Sequence, residues 1–430
     1  MHARQIKYLP SLQNEQVEWG RVIVMIIIIL LLPPFIGLPI TIANIANKKN
    51  ASKTQYYTFF VCIALYFSAI NATKVPSGDQ IQYLVAYQNV PKLGFLKSLI
   101  YIYGADFYSN ASKTTISGEF MNGVYNYIGY YLTLGYYPLF AVLLTFVDYM
   151  LIFLGLYQFC RSLRKPHIPI ICGAITISFF YLFFNYTLQI QKQFLAQSIM
   201  MYVLGNYAYH GRMYKKDWII AICAVFTHAA TLLFIPFLLF KPLHRPLSKN
   251  GLIMMGIVFA VMVISGPQMA SSVTSDSNSA LTYGVNRLAQ SETNNDTQES
   301  ALVLSQILVI ALPMAVIIGR KLWIERKTLS NSNAFMLNIT MLLLLTIAAM
   351  FKQPLAQYRY FMMLLAFMPF IYPFAFNNIN KRDKLLKIIA VVMIIWFYYQ
   401  FEKIVWTYAA EWEIIVKSPL LLIADNYYTY

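Results

Sequence analysis

Acidic side chains are scarce: 17 aspartates and glutamates stand against 33 lysines and arginines, and all charged residues together make up 12% of the 430-residue chain. So little charge excludes an ordinary soluble surface. With 59% hydrophobic residues and a mean hydropathy of +0.55, the composition is that of a membrane protein. Cysteine is nearly absent as well. The four that occur, Cys62, Cys160, Cys172 and Cys223, lie within or beside apolar runs, where a thiol behaves as a small hydrophobe, so no disulfide framework is implied. Five scattered histidines offer no metal-ligand spacing. There is no HExxH, no P-loop and no glycine-rich dinucleotide turn, which argues against metal-dependent and nucleotide-driven chemistry. Neither a cofactor nor a metal is expected.

What is abundant is long apolar sequence. A helix crosses a bilayer with roughly 20 apolar residues, and eleven stretches meet or approach that length: 22–44, 56–72, 139–160, 168–187, 190–208, 218–240, 251–267, 301–319, 333–351, 360–376 and 385–400. The expected fold is an all-α polytopic membrane protein, a single integral domain over 1–430 with about eleven transmembrane helices. The first stretch contains Pro33 and Pro34 and has no convincing small-residue cleavage site, so it does not read as a signal peptide.

Basic residues then orient the chain. Six short connections, 45–55, 161–167, 209–217, 241–250, 320–332 and 377–387, hold twenty of the 33 lysines and arginines, and the positive-inside rule assigns them to the cytoplasm. A single crossing by 218–240 would invert everything after it. The pattern is kept if this stretch is broken near His228 into two half-helices that dip to the outer face and return, as is tolerated where irregular backbone lines a cavity or packs in protein. The outer face then receives the loop 73–138, the polar loop 268–300 and the tail 401–430, the last two free to be mobile. Within the first, residues 119–137 are tyrosine-rich and amphipathic, fit to lie as an interfacial helix in the headgroup layer.

Ionisable groups gather at the outer ends of these stretches. In YTLQIQKQFLAQSIMMY (186–202), Gln189, Lys192, Gln193 and Gln197, with Asn185 just before, share one helical face. A lysine there either snorkels to the interface or faces a cavity; the glutamines, which need partners, favour the cavity. Arg359, in FKQPLAQYRYFMMLLAF (351–367) with Lys352 and Pro354, is either a headgroup anchor or a planar fork of donors for phosphate. His228 alone would read as a packing histidine, but three segments bring Lys192, His228 and Arg359 to one level. Asp79 and Glu119 both have the setting of helix caps. Asp148, inside an apolar stretch, needs a structural hydrogen bond, or serves as a proton-relay group.

Five successive blocks carry a resemblance. GDQIQY (78–83) with Tyr87 beyond it, EFMNGVYNYIGYYLTLGYYPLF (119–140), KQFLAQSIMMYVLGNYAYHGR (192–212), WIIAICAVFTHAATLLFIPFL (218–238) and YRYFMMLLAFMPFIYP (358–373) resemble, in matching order, the blocks of EpsG-like, Wzy-type polymerases of bacterial O-antigens, capsules and exopolysaccharides. The resemblance implies a GT-C-like architecture in the inner membrane with the active site facing the periplasm. It implies a donor glycan on undecaprenyl pyrophosphate, transferred to the terminal hydroxyl of a new lipid-linked repeat without nucleotide or metal. Membrane lipids and a chain-length regulator protein are the further partners implied, and nucleic acid is not one. Arg359, His228 and Asp79 match catalytic positions of the family pattern. Lys192, Gln193, Arg359 and Lys74 are the pyrophosphate-binding positions, with Lys352 and Arg287 as secondary candidates. Lys74 and Lys192 stand where the family commonly has arginine, which keeps charge and loses the bidentate fork. A lipid-linked oligosaccharide flippase or other transporter, or an O-antigen ligase, remains an alternative, although no inverted repeat marks the sequence as a transporter.

Overall fold

Three helices are long and apolar enough to cross a membrane among the described residues: Tyr137–Cys160, Asn331–Ala349 and Ile379–Thr407. The computed structural model describes residues 17–48, 51–103, 116–257, 297–350 and 354–425. Lys352, Arg287 and nearly all of the expected loop 268–300 lie outside them. Within them the chain is helical throughout, with one extended pairing, an antiparallel bridge between Lys74 and Tyr408.

The stretch 22–44 is not one crossing. It folds as a hairpin of α1 (Trp19–Leu31) and α2 (Pro34–Ala46). Pro34 lacks the N–H that a continuing helix needs and holds Pro33 extended. Both arms pack on α3 (Lys53–Ala72). Glu18, at the start of α1, donates its N–H to Thr54 at 2.8 Å, while Gly37, near the start of α2, meets the far part of α3: a Cβ there would fall 1.4 Å from the Tyr66 hydroxyl. The chain therefore leaves and returns to the same end of α3. At 13 residues, each arm rises only about 20 Å, short of a hydrocarbon core of about 30 Å.

The region 73–138 contributes α4 (Asp79–Gln88), α5 (Val90–Ser98) and α6 (Met121–Leu132). Next comes α7 (Tyr137–Cys160), which sits at the centre. The expected span 168–187 divides into α8 (His167–Ser178) and α9 (Tyr181–Tyr186) around Phe179 and Phe180. Against α7 lies α10 (Gln191–His210), and glycines set their spacing: a Cβ on Gly205 would come within 2.2 Å of the Gly155 carbonyl oxygen. Small residues at such a crossing let two backbones touch where water offers no hydrophobic drive.

The 218–240 stretch divides at His228. Helix α11 (Lys215–Thr227) ends there, His228 is extended (φ −153°, ψ 121°), and a 3-10 turn over Ala229–Leu233 leads into α12 (Phe234–Leu239). No glycine or proline is required, because side chains take up the freed backbone groups. Ala229 N–H donates to Glu119 Oε1 at 3.1 Å, and Thr231 Oγ1 donates to the His228 carbonyl at 2.8 Å. The chain then goes back toward the far end of α10, where His244 Nδ1 accepts from the Tyr207 hydroxyl at 2.6 Å.

The remaining long helices are α13 (Thr297–Trp323), α14 (Asn331–Ala349), α15 (Pro354–Ile371) and α16 (Ile379–Ile404). Along α16, Ile388, Val391, Val392, Ile395 and Trp396 are exposed. So long a row of bare hydrocarbon suits lipid rather than water. The segment after α16 is not free, as far as it is described. Ala409 N–H donates to the Thr73 carbonyl at 2.7 Å and Val75 N–H to the Thr407 carbonyl at 2.8 Å. Its last helix, α17 (Pro419–Ala424), packs on α3 and on the start of α7, where the Tyr136 hydroxyl donates to the Ile423 carbonyl at 2.9 Å.

Candidate active site

Glu119 holds the centre of the charged cluster. It follows Ser117 and precedes α6, and its carboxylate does not cap that helix. It points instead into the bundle, buried at 5% exposure, toward the first turn of α10 and the break at His228. One oxygen, Oε2, pairs with Lys192 Nζ. The other, Oε1, accepts from His228 Nδ1 at 2.6 Å and from Ala229 N–H at 3.1 Å. Burial by itself would push the carboxyl up, but the Lys192 charge and the His228 hydrogen bond more than offset it, so Glu119 is held well below the usual carboxylate range. An ionised carboxylate only accepts, so the proton of His228 sits on Nδ1. That leaves Nε2 as a bare lone pair, buried with no hydrogen-bond partner among the described residues.

Lys192 is 3% exposed and donates to Tyr103 as well as to Glu119. It is therefore an internal, neutralised cation and not a snorkelling one. Tyr103 in turn stacks on Tyr83, with ring centroids 5.7 Å apart and planes 28° apart. Gln193 Nε2 donates to the Arg359 carbonyl at 2.6 Å, which ties the second turn of α15 to the first turn of α10. The Arg359 side chain is half-buried, and its charge is near enough to act on His228. Its guanidinium has no acidic partner and no hydrogen bond among the described residues. Lys192, His228 and Arg359 are thus brought to one level from three segments.

Two other sequence candidates take different places. Lys74, buried after α3, gives its ammonium to the backbone and side-chain oxygens of Asn185. Burial pushes its pKa down to about 7, and its visible work is to tie the segment after α3 to the end of α9. Asp79 is exposed at the first position of α4, directly after Gly78 (φ +55°), and makes no capping hydrogen bond. Its charge favours that helix start through the dipole and reaches Tyr83, on the edge of the cluster.

Glu119 is the residue that a cap-like setting concealed. The signal available was stoichiometric: a lysine and a histidine sunk among apolar residues require an anion, and few acids exist to supply one. Deeper in the bundle, buried Asp148 faces α10 at Ser198, whose hydroxyl interacts with its carboxyl. Ser198 lies six residues past Lys192, about 9 Å by helical rise, so Asp148 is not part of the cluster.

A helical membrane protein with a buried acid–histidine–lysine cluster is the class that fold and site together define. The chain belongs to the EpsG family, whose model matches residues 58–413. That membership places it in polysaccharide biosynthesis, with a glycosyltransferase-like function of the polymerase type. No curated protein and no solved structure matches the chain.

Proposed function

We propose that the chain is a polysaccharide polymerase of the inner membrane, acting at the periplasmic face on undecaprenyl-pyrophosphate-linked substrates. The acceptor is the terminal hydroxyl of a new lipid-linked repeat. The donor is the growing chain. His228 Nε2 takes the hydroxyl proton as the oxygen attacks the donor's anomeric carbon, and the bond from that carbon to the pyrophosphate oxygen breaks. Its electron pair leaves on the diphosphate, where the Arg359 guanidinium meets the developing charge with two parallel donors. Glu119 fixes the tautomer and stabilises the imidazolium that forms, the role an acid plays behind a catalytic histidine in hydrolytic triads. Lys192 keeps Glu119 ionised.

The single observation behind this reading is the 2.6 Å bond between Glu119 and His228 Nδ1 that leaves Nε2 unoccupied. It shifts the proton acceptor from Asp79, which is exposed at the rim, to His228. It also shifts the phosphate clamp from Lys192, whose charge is already matched, to Arg359. Lys352 and Arg287 stay secondary donors for the same diphosphate.

Arg359 supplies the test. Removing one preorganised donor to a developing anion costs about 100- to 1,000-fold in rate, so Arg359→Ala should leave no long polymer on a gel of surface glycan while membrane levels of the protein hold. Arg359→Lys, which keeps charge without the fork, should restore short chains only. Normal long-chain polymer from the alanine variant would remove the clamp.

A further inference from the structure

The α1–α2 hairpin precedes the family-matched residues, and it encloses something. Its arms meet at Pro33 and Pro34 and pack separately on α3, so at the open end they part and leave a wedge. A cleft of about 410 Å³ fills that wedge, lined by Arg21 and Met25 of α1, Thr41 and Asn44 of α2, and Gln55 and Phe59 of α3. Its lining is mostly apolar. One lining residue is Thr41, 3% exposed, whose hydroxyl has no hydrogen-bond partner among the described residues. A buried hydroxyl in that state costs free energy unless something fills the space and accepts from it. Neighbouring Val24 is half-exposed and surrounded on α1 by exposed Ile23, Ile27 and Ile28, so the cleft opens toward the hydrocarbon side of the hairpin.

Charge decides what suits it. Arg21 stands at the mouth, partnered by Glu18 at 2.6 Å with both side chains largely exposed. Lys48, after α2, and Lys53, the first residue of α3, flank the same end. The first turn of α3, twenty residues long and capped by Ser52, also directs its positive dipole end there. We infer that the wedge holds one phospholipid with an anionic headgroup. Its phosphate lies by Arg21 and the start of α3, its glycerol ester oxygens accept from Thr41, and an acyl chain runs along Met25 and Phe59. The bound lipid completes a hairpin too short to span the membrane and fastens it to α3.

The experiment uses the full chain reconstituted in mixed phosphatidylethanolamine and phosphatidylglycerol, taken up in mild detergent and read by native mass spectrometry. One phosphatidylglycerol should stay bound in preference to phosphatidylethanolamine. Arg21→Ala should lower its retention about fivefold, equivalent to about 1 kcal/mol for one cation at a lipid surface. Asn44→Trp, placed at the exposed rim to fill the wedge, should abolish retention. Thr41→Val, which keeps shape and removes the hydroxyl, should lower it severalfold and serves where the tryptophan variant fails to fold. Equal retention of both lipids, unchanged retention by the variants, or a polyprenyl phosphate held in their place would overturn the inference.

Discussion

His228→Gln should slow chain elongation about 100- to 10,000-fold, the range that positioned general-base catalysis supplies. Glutamine approximates the reach of the imidazole and can still donate to Glu119, so the break between α11 and the 3-10 turn keeps that tie. What it lacks is a basic lone pair where Nε2 now lies unoccupied. The rate is measured as polymer formed by native membranes from lipid-linked repeat, with protein level fixed by immunoblot. A rate within twofold of the parent would assign His228 to packing. Glu119 does not blur the pH profile of such an assay. Its folded-state pKa is depressed, so its contribution to stability is fully present above the ordinary carboxylate range and is lost only as pH falls through the depressed value, well below any assay pH.

Glu119→Ala should fail at the level of the fold. It strands the Lys192 ammonium at 3% exposure and leaves His228 Nδ1–H and Ala229 N–H without their acceptor. Breaking a buried pair by removing one partner costs about 3–5 kcal/mol, a large share of a typical domain's stability, so the variant should be found at strongly reduced levels in the membrane. Glu119→Gln combined with Lys192→Met removes both charges and keeps an acceptor for Nδ1. This double variant should recover the membrane level of the parent by immunoblot yet elongate poorly, because a neutral amide no longer stabilises the imidazolium. If the double variant polymerised at the parent rate, the cluster would be structural only. If Glu119→Ala accumulated normally, the ion pair would carry no stability.

The residues that reveal the fold from sequence are those whose chemistry is costly in lipid. Lys192 among its glutamines, His228 in an unbroken apolar run and Arg359 after Pro354 each break a hydrophobic pattern, and the structure gathers all three at one level. The break at His228 was legible because basic residues flank the run on both sides, which a single crossing would violate. Glu119 was illegible for the opposite reason. It sits in a polar, tyrosine-rich loop where an acid breaks no pattern, and its partners are 73 and 109 residues away. The hairpin was misread because hydropathy counts apolar residues without direction. Pro33 and Pro34 show where a helix stops, but the reversal is set by tertiary contacts, Gly37 on Tyr66 and Glu18 on Thr54. The Asn185 partner of Lys74 was illegible for the same reason as Glu119, since it lies 111 residues away.

The most direct test of the account is the lipid-linked glycan in a strain whose sole copy carries His228→Gln. If His228 is the base for chain transfer at the outer face, its replacement should leave undecaprenyl-linked single repeats that are accessible from the periplasm, with no long polymer. Single repeats trapped on the cytoplasmic side, or long polymer made but left unattached, would contradict it.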